Sequence, residues 1–190
     1  MLKYNYKEVL RYLGYMGTNA DDVTQNMIDE VYEELLDVIN PKYIYKQFEI
    51  LKTSDSVIIN GVQFKSSNLL KNLNKANSVV LMGATLGKGA DTLRKKYEYS
   101  NVAKSVIAQA VGASLIENLC DNVCEEIKSN VNGKLCPRFS PGYGDLDLSY
   151  QKDFFNLIDM NKMLGVTLSD AYMMTPTKTV TAFIGIKDGE

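Results

Sequence analysis

Strand hairpins interspersed with helices predict an α+β chain with a mainly antiparallel sheet. Three observations carry this. Asn60-Gly61 stands between the β-prone triplets Val57-Ile58-Ile59 and Val62-Gln63-Phe64, a strong short-range hairpin signal. A helical apolar period runs from about Asn101 to Asn130. Helices and strands do not alternate regularly, as parallel βαβ units would. At 190 residues with no internal repeat, low-complexity segment or linker, one domain over residues 1–190 is expected.

The elements follow in order. Tyr4 to Tyr15 reads as a short helix with Val9, Leu10 and Leu13 apolar. Asp21 to Asn40 reads as a stronger one, because Val23, Met27, Val31, Leu35 and Val38 recur every three or four residues and Pro41 stops it. Gln47 to Leu51 precedes the hairpin as a strand. Ser66 or Ser67 caps a short helix through Leu73, and Ser78 to Met82 reads as a buried strand. The long helix carries Val102, Val106, Ala110, Ala113, Ile116, Cys120, Val123 and Ile127 on one stripe. It would be roughly 40 Å long, and Asn132-Gly133 ends it. A helix from Tyr150 to Asn161 follows, and Thr179 to Ile186 alternates as a strand.

Composition narrows the function. Lys+Arg number 21 and Asp+Glu 23, so nothing favours nucleic acid or an anionic membrane as partner. The longest apolar run, Val79 to Ala84, is too short to span a bilayer. The first residues carry Lys3, Lys7 and Glu8 without an apolar core, so no signal peptide is expected. Three cysteines at no framework spacing fit a reduced, cytoplasmic chain. There is no histidine. That removes the commonest general base, the Ser-His and Cys-His nucleophile pairs and most zinc and iron sites. The chemistry expected is one that moves no protons, or none by this chain alone.

Several segments invite a site and fit a structural role instead. Gly83 to Gly89 follows a strand, but it has one residue too few before Gly87-Lys88 for a phosphate loop, and Gly89 stands where a hydroxyl would hold magnesium. Cys120 and Cys124 share a helix face and read as small core residues. Lys88, Arg94, Lys95 and Lys96 read as a solvated face, with a docking patch for an acidic partner as the alternative. Glu117, between apolar Ile116 and Leu119, is a candidate groove-wall carboxylate.

The strongest candidate is Arg138-Phe139-Ser140-Pro141-Gly142-Tyr143. An Arg fork holds a carboxylate bidentately. A Pro-Gly turn lets backbone approach a ligand, and a Tyr face packs on a flat base or a cation. Together these fit a zwitterionic or cationic molecule carrying an aromatic base, of which S-adenosylmethionine is one. An Arg before a Pro-Gly turn also serves a plain surface salt bridge, and the residues alone leave both readings open.

With Gly165-Val-Thr-Leu-Ser-Asp-Ala-Tyr-Met-Met-Thr-Pro176 and the final strand, this segment resembles the activation domain of cobalamin-dependent methionine synthase, in its small free-standing form. The opening Glu8 to Tyr15 and Ile116 to Leu119 resemble the family too. The resemblance implies a C-shaped α+β domain with a twisted, mainly antiparallel sheet and a long central helix. It implies that Arg138 holds the methionine carboxylate of S-adenosylmethionine and that the Ser140 backbone meets its adenine or amino end. It further implies that Gly142 and Tyr143 flank the ligand, with Glu117 an acidic groove residue. The implied partners are a cobalamin-dependent methionine synthase lacking its activation domain, which holds the cobalamin, and a flavodoxin-like electron donor. The implied role is reactivation of oxidised cobalamin by methyl transfer, in which this chain presents the donor and is not catalytic alone. Met173, Met174 and Tyr172 become candidates for an exposed docking rim. The alternatives are a self-contained methyltransferase, against which the lack of a G-x-G-x-x-G segment speaks, and a scaffold or ligand sensor for another corrinoid methyltransferase.

Overall fold

The computed structural model describes residues 1–15 and 17–187. Helix α1 spans Tyr6–Tyr12, with the Asn5 carboxamide accepting from the Lys7 and Glu8 amides. Helix α2 spans Asp22–Val38, capped by Asp21 through the Thr24 amide. Strands β1 (Lys42–Lys52), β2 (Ser56–Ile59) and β3 (Val62–Lys65) follow. At the hairpin tip Asn60 and Gly61 both have positive φ, 48° and 81°, as a two-residue primed turn requires. Helix α3 (Ser67–Asn72) starts at the Ser66 cap. Strand β4 (Ala76–Thr85) leads into α4 (Lys88–Ser100) and α5 (Val102–Asn130). Then come β5 (Lys134–Leu135), a 3-10 turn at Leu148–Tyr150, α6 (Gln151–Ile158), α7 (Met160–Leu164), β6 (Thr167–Leu168), β7 (Met174–Thr175) and β8 (Thr179–Lys187). The main sheet has the order β3-β2-β1-β4-β8-β5, and β6 and β7 pair separately. The pairs β1–β2, β2–β3 and β5–β8 are antiparallel. The chain is α+β with a mainly antiparallel sheet and a long helix, as the sequence predicts.

The chain divides into two compact units, and the division falls within α5. The first comprises Met1–Lys42, Thr85–Asn122 and Thr175–Thr179. In it α2 and α4 pack together, with Ile28, Val31, Leu35, Ala90 and Leu93 buried. Lys104 of α5 reaches Glu30 and Glu34 of α2 at 2.8 and 3.6 Å. The second comprises Tyr43–Ala84, Val123–Met174 and the residues from Val180 on. Its core centres on Phe183, whose ring meets Phe64 and Phe154 edge-on at 5.2 and 5.0 Å.

Several elements depart from expectation. On α2 Val31 and Leu35 are buried as expected, but Ile28 is buried as well and Val23 is 67% exposed. Val102 and Val106 are likewise exposed on α5, and Ile107 and Val111 are buried instead. Strand β1 begins at Lys42, five residues before the expected Gln47. The sequence showed α4 only as a basic cluster, because Gly87 supplies no capping side chain and charged residues outnumber the apolar ones that would mark a buried stripe. The helix expected over Tyr150 to Asn161 breaks at Asp159, which has φ 53°.

Candidate functional site

Arg138, Ser140, Gly142 and Tyr143 lie in one loop of the second unit, and its shape follows from local chemistry. Upstream, the chain runs antiparallel to β8, pairing Lys134 with Lys187 and Leu135 with Ile186. It pairs again at Phe139 and Phe183. Between these pairs the chain advances four residues, 135 to 139, against three on β8, 186 to 183. The extra residue is a β-bulge at Pro137-Arg138, where Pro137 has no N–H to give the ladder. The bulge reverses which face each side chain takes. Phe139 therefore joins Phe183 on the core side and packs against that cluster. The Cys136 amide bonds the Gly185 carbonyl at 2.7 Å and the Phe139 amide bonds Phe183 at 3.0 Å, so Arg138 is anchored on both sides. Arg138 is half-buried, and its Nη1 is shielded from solvent.

The next four residues form a tight turn. The Tyr143 amide donates to the Ser140 carbonyl at 3.0 Å, with Pro141 second and Gly142 third at φ 89°. That is the type II pattern, which needs positive φ at the third position. A second turn closes through Leu146 N–H to the Tyr143 carbonyl at 3.0 Å, and the Gly142 amide returns to the Leu146 carbonyl at 2.8 Å. Ser140 Oγ donates to the Thr181 carbonyl at 2.6 Å. Tyr143 is 57% exposed, its ring held edge-on by Phe139 at 5.9 Å.

Asp145 fastens the far end. Its carboxylate accepts from Ser66 Oγ, from Ser67 N and Oγ at 2.9 and 2.6 Å, and from Asn68 N at 3.1 Å. These groups form the N-terminus of α3, where a carboxylate is favoured. The hydrogen bonds from Ser66, Ser67 and Asn68 hold the Asp145 carboxyl well below its ordinary pKa. Gly144 permits the approach: a Cβ there would stand 2.8 Å from the Asn68 side chain.

Behind the turn is a buried polar node that sequence reading missed. Gln151, 2% exposed, donates to Thr181 Oγ1 at 2.9 Å and lies 3.1 Å from the Met174 sulfur. The available signal was a glutamine at a core position of an amphipathic helix. Of the expected rim, Met173 is 65% exposed. Tyr172 and Met174 are half-buried, and Met174 packs against the core.

Glu117 belongs to the first unit, half-buried on α5. The N-terminal segment crosses the same part of α5: the Asn5 amide donates to Ser114 Oγ at 2.7 Å and the Lys3 amide to Asn118 Oδ1 at 2.9 Å. The glycine segment is a strand-to-helix turn. A Cβ on Gly89 would sit 1.8 Å from the Val38 carbonyl oxygen, so its glycine lets α4 abut the end of α2. Of the basic cluster, Lys88, Lys95 and Lys96 are exposed and Arg94 pairs with Glu98. Cys120 and Cys136 are buried and Cys124 is half-buried. Among the described residues no cluster of three or more His, Cys, Asp or Glu could hold a metal ion, and no helix is long and apolar enough to cross a membrane.

No protein-family model and no curated protein matches this chain by sequence. A search of solved structures finds similarity to the crystal structure of the MetH reactivation domain bound to AdoHcy. The TM-score is 0.70 at 15% identity, covering 98% of this chain and 75% of that one. At that identity the likeness establishes the architecture: this chain has the fold of that reactivation domain.

Proposed function

We propose that this chain binds S-adenosylmethionine at the Arg138–Tyr143 loop and acts as a free-standing activation subunit for a cobalamin-dependent methionine synthase that lacks its own activation domain. The carrying observation is the bulged, doubly anchored loop, which presents a guanidinium, a glycine turn and an exposed tyrosine in the fold of a domain solved with AdoHcy. AdoHcy is what S-adenosylmethionine becomes on losing its methyl group.

The residues fit such a ligand. Arg138 supplies a fixed cation for the amino-acid carboxylate. Gly142 is exposed and carries no side chain to obstruct the ligand. Tyr143 offers a ring face to a base or a sulfonium. Asp145 and the bond from Ser140 Oγ to the Thr181 carbonyl hold the loop before any ligand arrives, which lowers the ordering cost of binding. A cobalamin held by the partner and reduced by one electron from a flavodoxin-like donor would supply the nucleophile for the methyl group, and the electron pair of the broken sulfur–carbon bond would stay on sulfur. This chain's part is to hold the donor, align it and exclude water. None of that requires a general base, consistent with a chain lacking histidine.

Calorimetric titration with S-adenosylmethionine tests the reading. Wild type should bind, and Arg138→Ala should weaken binding roughly 10- to 100-fold, the range for losing a charge-assisted pair. Methylcobalamin formation should then require this chain, the corrinoid protein, the electron donor and S-adenosylmethionine together. Binding without that requirement would support the scaffold or sensor reading.

A further inference from the structure

A second constellation in the second unit lies outside the loop. Tyr43 and Tyr45 alternate onto one face of β1. Their rings are parallel within 2°, with centroids 6.5 Å apart. Tyr43 donates to Glu126 Oε2 at 2.6 Å and Tyr45 to Oε1 at 3.0 Å. Asn130 Nδ2 donates to the Tyr45 hydroxyl at 3.1 Å, which fixes that hydroxyl's direction. One carboxylate from the end of α5 thus holds two aromatic rings in register. The group is reachable from solvent: Tyr43 is 43% exposed, Glu126 and Asn130 are exposed, and Tyr45 is half-buried. No residue of β1 is buried.

We propose that Tyr43, Tyr45 and Glu126 form a docking site for an arginine side chain of a partner protein. The chemistry selects this occupant. Glu126 has no lysine or arginine partner among the described residues. Each of its oxygens accepts one tyrosine hydroxyl and keeps a lone pair, which suits the two parallel N–H groups of a guanidinium fork. Parallel flat rings favour a planar cation, and arginine stacks on aromatic faces as a compact ammonium does not. The same face of β1 continues with Gln47 and Glu49, while Lys42 and Lys46 alternate to the other face. Lys46 stands over the Phe48 ring at 5.1 Å. The charge offered on the tyrosine face is therefore negative. Each element is placed before the partner arrives, so the geometry needs no rearrangement.

The test is an NMR titration of the full chain, reading the tyrosine ring signals, with N-acetyl-Gly-Arg-Gly-amide and with its lysine counterpart. Saturable shifts of the Tyr43 and Tyr45 signals with the arginine peptide are expected. Binding of the lysine peptide should be weaker by about tenfold or more, and added salt should weaken both. Glu126→Gln should abolish saturation while its other signals stay in place. If that variant fails to fold, Tyr43→Leu reads the same loss at a solvent-facing position. No saturable shift in wild type, equal response to both peptides, or undiminished binding in a folded Glu126→Gln chain would overturn the proposal.

Discussion

Two charged residues set opposite demands on this molecule. Asp145 is a carboxylate whose folded pKa lies below its unfolded value, because α3 donors favour the ionised form. Its contribution is therefore fully present above the unfolded value near 3.9. It is lost as pH falls through the folded one. Denaturant melts of wild type and Asp145→Asn should differ at pH 6 and converge in acid. Lys178 behaves oppositely. It is buried in the first unit, its Nζ donating to the Gln109 carbonyl at 3.0 Å, with its stem against Gly112. Burial brings its pKa down to about 8; Asp91 on α4 opposes the shift and Arg94 adds to it. Between pH 8 and the unfolded value near 10.4 the unfolded chain binds more protons, so stability rises with pH there. Below pH 8 the charged amine is a standing cost. Lys178→Met should therefore stabilise the chain at pH 7 by roughly 1–3 kcal/mol, as chemical denaturation would show. Neither residue was singled out from sequence, since an aspartate in a loop and a lysine before a strand look like ordinary solvated charges. Burial and a helix terminus 77 residues away gave them their roles.

Among the elements, those with local signals were the legible ones. The Asn60-Gly61 hairpin and the Ser66 cap were both readable, because a turn or a cap is satisfied by neighbours within a few residues. The bulge at Pro137-Arg138 was not, because it exists only against β8, more than forty residues on. Proline was its trace: a residue unable to donate stands where the ladder slips. Helix α4 escaped notice for a related reason. Its start is fixed by contact rather than by capping, with Gly87 at φ 80° and Gly89 against Val38. Gly89→Ala should drive a methyl group into backbone that cannot swing aside. The expected loss is roughly 2–3 kcal/mol, seen as a lower denaturation midpoint with an unchanged slope.

Over the whole molecule, a preformed loop implies that ligand binding stabilises the fold rather than creating it. At S-adenosylmethionine one hundred times its dissociation constant, about 2.7 kcal/mol should be added. For chains of this size that amounts to a rise of several degrees in Tm, and Arg138→Ala should show little of it at the same concentration. Sequence by itself determined the fold class, most of the helices and strands, and the loop from Arg138 to Tyr143, whose turn is written in Pro141-Gly142. It also excluded histidine chemistry outright. These properties depend on composition, on periodicity and on bonds between near neighbours. Tertiary structure decided that Val23, Val102 and Val106 stay exposed while Ile28, Ile107 and Val111 are buried, the bulge that sends Phe139 into the core, and the long-range bonds of Asp145 and Gln151. It also decided the pairing of Tyr43 and Tyr45 with Glu126. Each of these joins residues far apart in the chain, and such a bond leaves no pattern in either partner's local sequence.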